Sequence, residues 1–312
     1  MPILIRIPPV YMRFSIFLPL VLGATLHASD TSPATRSAEA PLLFAADATV
    51  QTTATAPTSS ASVSTTSDRP ANASLASPQP VTPPAREKFH LYLLVGQSNM
   101  VGRDTRTLAS QVENPRILAL NGPGQWIVAR EPMHVGGTGV GPGIPFAAEM
   151  LKANPDITIG LVPCAVGGTP LRRWVKGGDL YERAIQRAKR AAQTGILKGV
   201  LWHQGESDTE KKENAETYHQ RLAQMLSDLR IDLEQPNLPV VVGQLGEFLD
   251  PKKYVYVDLV RQGIAQIPSA VPHTNFADSS GLGDKGDKLH FSADAEKELG
   301  ARLAAAMRKL QE

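Results

Sequence analysis

The chain has 312 residues, of which 42% are hydrophobic and 20% are charged. This apolar content is enough for a globular core and excludes disorder of the whole chain. The formal net charge of +2 gives no strong overall field for nucleic acid or an anionic membrane, and the single cysteine, Cys164, excludes an intramolecular disulfide and a multi-cysteine zinc site.

The first 28 residues have the pattern of a secretory signal. Arg6 and Arg13 precede the uncharged apolar run 14–26, and small residues follow up to Ala28, a suitable cleavage position. The run is too short to anchor the chain as a membrane-spanning helix. Met12 offers an alternative start. We therefore expect a protein exported to the periplasm or the extracellular space, with no integral membrane segment after signal removal.

Residues 29–86 consist mainly of Ala, Ser, Thr and Pro. Such a segment has few side chains to bury and cannot offset the entropy of ordering its backbone. The composition therefore predicts a disordered spacer without chemistry of its own, followed by one folded domain over 87–312.

Within this domain, strand-like apolar runs alternate with helical stretches. The predicted strands are 90–96, 116–121, 157–163, 199–204, 238–246 and 273–279, and the predicted helices are 146–153, 179–193, 213–233 and 293–310. This alternation predicts an α/β fold, a three-layer α/β/α sandwich with a central, mostly parallel sheet. Ligands of such sheets bind beyond the carboxyl ends of the strands, so the loops after the strands are the candidate site.

The first predicted strand ends in GQSNM (96–100). A serine directly after a buried strand, here Ser98, can hold its hydroxyl above the sheet edge, but it needs a neighbouring base to act as a nucleophile. Taken alone, such a serine more commonly caps the start of a helix. The motif is not the G-x-S-x-G elbow of α/β-hydrolases, because Met100 stands at its final glycine.

A candidate base follows the last predicted strand, in GDKLHFS (286–292). Asp287 lies three residues before His290 and can accept the Nδ1–H of the imidazole, which fixes the tautomer and supports the imidazolium. Asp284 is an alternative partner, six residues before the histidine. A loop of this kind can also serve only to cap the helix that follows.

Two further loops carry groups that can stabilise an oxyanion. Gly167 and Gly168 follow the third predicted strand, and paired glycines let backbone N–H groups approach a ligand closely. Gln204, in WHQGESD (202–208), has a side-chain amide that can donate to a developing negative charge. The acidic and histidine residues of that loop lack the spacing of a metal site, so we expect no bound metal.

Five blocks, in this order, resemble the SGNH-type carbohydrate acetylesterases: GQSNMVGR, GVGPGIPFAAEM, PCAVGGTPLRRW, WHQGESD and DKLHFSADAEKELG. The closest match is carbohydrate esterase family 6, the acetylxylan esterase group, which neighbours the sialate O-acetylesterases. The resemblance covers 88–310. It implies the SGNH-hydrolase fold, which is flavodoxin-like, and a serine esterase that hydrolyses acetyl esters of carbohydrates without a cofactor.

Residue by residue, the resemblance implies Ser98 as nucleophile, His290 as base and Asp287 as the partner of His290. It implies an oxyanion hole built from the Ser98 N–H, the Gly167 N–H and the Gln204 amide, with the choice between the two neighbouring glycines left open. The supporting or substrate-pocket candidates are Gln97, Asn99, Arg103, Gly168 and Glu206. Of these, the glutamate is expected to organise its loop by hydrogen bonding, and the arginine to shape the mouth of the site together with 134–143.

The implied substrate is acetylated xylan or a related polysaccharide. Sialic acid and bacterial cell-wall or capsule sugars are alternatives, because the fold specifies acyl transfer better than it specifies the substrate. An alternative of another class is a non-catalytic carbohydrate-binding domain on the same fold, although a binder needs none of the catalytic set. We expect no nucleic-acid partner, and we expect Cys164 to be a packed thiol.

Overall fold

The computed structural model describes residues 78–108 and 112–312. The predicted signal at 1–28 and most of the predicted spacer lie outside the described residues. The last part of the spacer contacts the domain, since the backbone N–H of Val81 donates to the Trp126 carbonyl at 2.7 Å. A 3₁₀ turn over Arg86–Lys88 then leads into the first strand.

Within the described residues, seven strands form one sheet. They are β1 (Phe89–Gly96), β2 (Ile117–Leu120), β3 (Trp126–Val128), β4 (Thr158–Pro163), β5 (Ile196–His203), β6 (Val240–Gly243) and β7 (Thr274–Ala277). Their order across the sheet is β3-β2-β4-β1-β5-β6-β7. Every neighbouring pair is parallel except β2 and β3, so the sheet is mostly parallel, as predicted.

The helices pack on both faces of this sheet. They are α1 (Ser98–Val101), α2 (Gly143–Ala153), α3 (Asp179–Ala191), α4 (Lys212–Glu216), α5 (Tyr218–Asp232), α6 (Val257–Ala270) and α7 (Ala293–Gln311). Side chains alternate along β1 accordingly: Tyr92 and Leu94 pack with α2 and α7, whereas Leu91 and Leu93 pack with α3, α5 and α6. The predicted three-layer α/β/α sandwich is therefore confirmed.

The start of α7 fixes the end of the loop that carries His290. Ser292 caps the helix, because its side-chain oxygen accepts the Ala295 N–H at 3.1 Å. Leu299, Leu303 and Met307 recur at helical spacing and are fully buried against the sheet. A cap at one end and a buried stripe along the helix hold the preceding residues close to the sheet edge.

Three elements differ from the sequence prediction. The helix predicted over 213–233 is two helices, α4 and α5, separated at Thr217. The prediction missed β3, a strand of only three residues that pairs antiparallel at the sheet edge. It also missed α6, although Val257, Val260, Ile264 and Ile267 are buried at helical spacing, because Gly263 and Pro268 weaken the helical pattern. In the described part of the chain, none of the helices combines the length and apolar character that crossing a bilayer requires.

Candidate active site

The nucleophile candidate emerges where β1 and β5 end side by side. Gly96 has φ +139°, and a side chain there would collide with the His203 carbonyl, since a Cβ would lie 2.0 Å from its oxygen. The next residue, Gln97, donates its N–H to the same carbonyl at 2.9 Å. The chain then turns directly into α1, whose first residue is Ser98. The loop that begins with Gln204 is therefore adjacent to the nucleophile candidate.

The structure brings Ser98, His290 and Asp287 into one chain of hydrogen bonds. His290 Nε2 lies 3.0 Å from Ser98 Oγ, and His290 Nδ1 lies 2.7 Å from Asp287 Oδ2. The other carboxylate oxygen of Asp287 accepts the backbone N–H groups of Leu289, at 3.0 Å, and of His290, at 2.8 Å. The aspartate is thus fixed by the same loop that presents the histidine.

Asp287 is held in its ionised form. Burial alone would raise the pKa of its carboxyl group, but the hydrogen bonds from His290, Lys285 and Leu289 outweigh burial and place the pKa well below its usual range. A carboxylate facing Nδ1 keeps the proton on that nitrogen. Nε2 therefore presents its lone pair to Ser98 Oγ, the arrangement that a general base requires.

Asp284, the alternative partner, has a different task. Its Oδ2 accepts the backbone N–H groups of Gly286 at 2.8 Å and Lys288 at 2.7 Å. These bonds stabilise the turn in which Lys288 adopts φ +54°. Asp284 makes no hydrogen bond to His290 within the described part of the chain.

Gly167 lies close to both Arg103 and Ser98. A methyl group at Gly167 would lie 3.6 Å from Ser98 Cβ and would collide with Arg103 Nη2, at 2.2 Å. Gly168 has φ +68° and open space around it. The geometry thus places Gly167 closer than its neighbour to the nucleophile candidate.

Arg103 is held by backbone carbonyls rather than by a carboxylate. Its Nη1 donates to Gly136 at 2.9 Å and to Gly102 at 3.4 Å. Among the described residues no acidic side chain pairs with it, and burial lowers the pKa of the guanidinium. The predicted stretch 134–143 thus contacts Arg103 through Gly136, and a backbone bridge joins Val140 of this stretch to Asp104.

Gln204 does not have the free amide that its predicted role requires. The residue is fully buried, and its Nε2 donates to Asp208 Oδ2 at 2.7 Å, to Gln97 Oε1 at 3.1 Å and to the Thr169 carbonyl at 3.1 Å. An amide nitrogen has two hydrogens, and these protein acceptors occupy both of them. The assignment of Gln204 to the oxyanion hole is corrected accordingly: it is part of a buried hydrogen-bond network.

That network contains residues that the sequence prediction did not include. Tyr218 donates its hydroxyl to the Gln204 backbone carbonyl at 2.6 Å, and Arg221 Nη2 lies 3.1 Å from Asp208 Oδ1. Asp208 also accepts the Leu171 N–H at 2.8 Å. The position of Asp208 four residues after Gln204 in the same block was the available signal, whereas Tyr218 and Arg221 belong to no recognisable motif.

Asn99 joins the two loops that flank the serine. Its Nδ2 donates to Glu206 and, at 3.2 Å, to the Leu289 carbonyl, while its Oδ1 accepts the Phe291 N–H at 3.1 Å. Glu206 is buried, and burial raises the pKa of its carboxyl group to about 7. Glu206 thus contacts Asn99, the residue that also bonds to the backbone on both sides of His290.

A cleft of about 330 Å³ opens beside Ser98 and His290. Four predicted residues line it, Gln97, Arg103, Gly168 and Glu206, whereas Asn99 is buried and is not part of its lining. Lys253 and Tyr254 also line the cleft, and the lysine Nζ lies 5.1 Å from the centre of the tyrosine ring. Both follow β6 in a loop without a recognisable motif, so no sequence signal indicated them.

Cys164 is buried in the core, and burial raises the pKa of its thiol to about 11, so it is a packed side chain. Within residues 78–108 and 112–312, no three His, Cys, Asp or Glu side chains are grouped as a metal site.

The sequence matches a known enzyme family. A family model described as "carbohydrate esterase, sialic acid-specific acetylesterase" matches residues 88–309. A probable carbohydrate esterase from Arabidopsis thaliana is 34% identical over 238 residues, which cover 69% of this chain and 89% of that protein.

Solved structures give the same fold. The structure of an Arabidopsis thaliana protein, 33% identical, superimposes with a TM-score of 0.64 over 70% of this chain and 98% of its own. Two more distant structures are similar in fold. A carbohydrate acetylesterase from Xanthomonas citri is 22% identical and superimposes with a TM-score of 0.56 over 70% of this chain and 56% of its own. NanS is 16% identical and superimposes with a TM-score of 0.58 over 73% of this chain and 98% of its own.

Proposed function

This chain belongs to the carbohydrate esterase family described as sialic acid-specific acetylesterases, and we propose that Ser98, His290 and Asp287 are its catalytic triad. As a member of that family it is a carboxylic ester hydrolase, a carbohydrate acetylesterase. One observation supports the triad above all others: the 3.0 Å contact between His290 Nε2 and Ser98 Oγ, continued by the 2.7 Å contact to Asp287. A carbohydrate-binding domain without catalysis would not need this connected set.

In the proposed reaction, His290 Nε2 accepts the Ser98 proton while Oγ attacks the carbonyl carbon of the acetyl ester. His290 then donates that proton to the sugar oxygen as the ester C–O bond breaks, which leaves acetyl-Ser98 and a free hydroxyl group. A water molecule, deprotonated by the same nitrogen, attacks the acetyl group and releases acetate. No cofactor takes part in these steps.

The backbone supplies two donors for the tetrahedral oxyanion. Ser98 opens α1, so its N–H has no acceptor within the helix. In the described part of the chain neither this N–H nor that of Gly167 donates to another backbone group. We assign both to the oxyanion hole, where one donor contributes about 2.7–4 kcal/mol of barrier lowering.

The proposed substrate is acetylated xylan or a related polysaccharide. The resemblance to the acetylxylan esterase group supports it, and so does the polar cleft, since Ser207, Glu210 and Lys253 can hydrogen-bond sugar hydroxyl groups. An acetyl group and one adjacent sugar ring are of a size suited to an open cleft of about 330 Å³.

Arg103 supports a second candidate, an acetylated sugar that carries a carboxylate, as sialic acid does. Its guanidinium lines the cleft, lies against Gly167 and has no acidic partner among the described residues. A charged donor with unused N–H groups beside the nucleophile can bind a carboxylate in bidentate fashion.

The test is acetate release by the full chain from acetylated xylan, from O-acetylated sialic acid and from an aryl acetate, with Ser98→Ala beside it. Serine-dependent release from xylan supports the first substrate. Release from sialic acid alone, weakened by Arg103→Gln about 10-fold or more through the loss of a charge-assisted hydrogen bond, supports the second. A folded protein that turns over none of the three esters contradicts the proposal.

We also propose that the protein is exported, because the basic residues and the apolar run within 1–28 have the pattern of a cleaved signal. Cell fractionation and N-terminal sequencing of the mature protein test this proposal. A mature chain that begins close to residue 29 supports it, and retention of 1–28 in the cytoplasm contradicts it.

A further inference from the structure

The proposed triad comes from two segments of the chain. Asp287 and His290 lie in one loop, and the 2.7 Å contact between them closes within that loop. Ser98 opens α1, on the segment that follows β1. The 3.0 Å contact between His290 Nε2 and Ser98 Oγ therefore joins the two segments, and its length depends on what holds them together.

Asn99 makes one connection between these segments. Its side chain bonds to the Leu289 carbonyl and to the Phe291 N–H, on either side of His290. Both bonds come from one short side chain. A second connection at some distance from it would restrict the tilt of the histidine loop as well as its position.

The segment of the serine makes this second connection through Asp104. Its Oδ2 accepts the backbone N–H of Ala293, the first residue of α7, at 2.8 Å. An N–H at the start of a helix has no acceptor within the helix, and a carboxylate there also interacts favourably with the helix dipole. The hydrogen bond is buried, and Asp104 is only 4% exposed. Ala293 lies three residues after His290, so the bond holds the end of the histidine loop.

Asp104 is itself held from two sides. Its carbonyl accepts the Val140 N–H at 2.9 Å, and its Oδ2 accepts a hydrogen bond from Arg106 Nε at 2.8 Å. The hydrogen bonds from Arg106 outweigh burial and lower the pKa of the Asp104 carboxyl group to about 2. The group that binds the start of α7 is therefore a carboxylate at neutral pH, and its hydrogen bond is charge-assisted.

We propose that Asp104 is a positioning residue of the triad: by binding the start of α7, it holds the histidine loop at the distance from Ser98 that proton transfer requires. This role rests on the proposed esterase function. A general base must lie within hydrogen-bond reach of the proton that it accepts. A displacement of about 1 Å is enough to lower turnover about 10²-fold.

This role affects one contact of the triad and not the other. If the start of α7 shifts, Asp287 and His290 move together because they share a loop, whereas Nε2 moves relative to Ser98 Oγ. The cleft residues Ser207 and Lys253 lie in other loops and keep their places. Loss of the Asp104 contact should therefore lower kcat and leave KM almost unchanged.

Asp104→Ala in the full chain tests the proposal, because it removes the acceptor of the Ala293 N–H. We expect kcat on an aryl acetate to fall about 10²-fold while KM changes little. Asp104→Asn keeps an oxygen for that N–H, and Arg106, whose side chain is 61% exposed, can turn to solvent. Its kcat should be at least about 10-fold above that of the alanine variant. If Asp104→Ala does not fold, Asp104→Ser replaces it, since the shorter side chain cannot reach Ala293.

Two controls separate positioning from a loss of stability. Asp294→Ala removes an acidic side chain from the same helical turn, but this side chain is 88% exposed and pairs with Lys297, so kcat should stay at the wild-type value. Leu226→Ala removes a buried side chain from α5, on the opposite face of the sheet. It should lower the melting temperature at least as far as Asp104→Ala, yet the folded enzyme should keep its kcat.

Three results overturn the proposal: wild-type kcat in folded Asp104→Ala, an equal loss of kcat in either control, or an equal loss in Asp104→Asn and Asp104→Ala. Ser98→Ala separates this inference from the proposed function. If Ser98→Ala retains wild-type turnover, the serine mechanism is wrong and the positioning role falls with it. If Ser98→Ala is inactive while Asp104→Ala is fully active, the mechanism stands and only the role of Asp104 is rejected.

Discussion

Two loops flank Ser98, and their hydrogen bonds have different ranges. In the histidine loop (284–292), Asp287 is fixed by residues two and three positions away, and its side chain is 34% exposed. In the glutamine loop (204–208), Gln204 is fully buried and its partners include Thr169 and Gln97, which are 35 and 107 residues away. The aspartate is thus held by its own loop and is accessible to solvent, whereas the glutamine is held by distant parts of the domain.

This difference assigns the loops different tasks. A proton-transferring histidine needs an ionised partner and access for the leaving group and for water, which the partly exposed Asp287 and its loop provide. The residues packed around a nucleophile need rigidity, which the buried hydrogen bonds of Gln204 and Asp208 provide. Substitutions in the histidine loop should therefore reduce turnover more than stability, and substitutions in the glutamine loop should do the reverse.

The largest expected effect is on turnover, from Asp287→Asn. Without the carboxylate, Nδ1 no longer keeps its proton reliably, and Nε2 loses the lone pair that faces Ser98; loss of this orienting charge lowers kcat about 10⁴-fold. The thermal midpoint should change little. Steady-state kinetics with an aryl acetate and a thermal melt measure the two quantities.

Asp284→Asn is the control within the same loop. It keeps an oxygen for the backbone N–H groups of Gly286 and Lys288, so activity should stay close to that of the wild type. A large loss of kcat in this variant, with Asp287→Asn still active, would make Asp284 the partner of His290.

The second effect is on stability, from Asp208→Asn. Asp208 is fully buried, pairs with Arg221 and accepts hydrogen bonds from Gln204 and Leu171. Removing its charge leaves the arginine unpaired and turns an acceptor into a partial donor, which costs about 3 kcal/mol or more. Urea unfolding measures this cost.

The control is Asp258→Asn, which removes an exposed ion pair with Arg261 and should cost about 1 kcal/mol or less. Equal costs for the two variants would mean that the buried network carries no special stability.

The sequence predicted the histidine loop better than the glutamine loop, for a physical reason. Asp287 and His290 lie three residues apart, so spacing alone indicates that they can meet. The acceptors of the Gln204 amide converge from three loops, and only the folded sheet brings them together. The sequence therefore identified Gln204 as a candidate residue, but it did not show in which direction the side-chain amide points. In the fold, α7 was predicted from its apolar stripe, whereas α6 was missed because Pro268 interrupts its pattern.

The third effect should appear in both loops at once, because Asn99 bonds to each of them. Asn99→Ala removes the contact with Glu206 and both contacts with the backbone around His290. We expect a loss of about 1–3 kcal/mol in the free energy of unfolding from these hydrogen bonds. Displacement of the histidine by a fraction of an ångström should lower kcat about 10²-fold. Asn237→Ala, at an exposed position, is the control. A loss of stability with unchanged kcat would show that the loops do not depend on each other.

The smallest effect concerns pH and the carboxyl groups of Glu131, Glu206 and Glu296. Burial, together with the charges of Glu131 and Glu206, raises the pKa of Glu296 well above its usual range, and burial raises the pKa of Glu206 and of Glu131 to about 7. The folded protein keeps these groups protonated at a pH where the unfolded chain has released their protons. Their contribution to stability is therefore full below about pH 4.5 and is lost as the pH rises through the folded-state values.

Glu296→Gln removes one of these groups and keeps its size. At pH 5 the variant and the wild type should melt together, because Glu296 is protonated. At pH 8 the variant should melt about 2–4 °C higher, the shift produced by roughly 1 kcal/mol in a domain of this size. Glu298→Gln, exposed on the same helix, should show no such divergence with pH. If the two melting curves of Glu296→Gln and wild type stay parallel from pH 5 to 8, Glu296 is ionised in the fold and must have a partner charge.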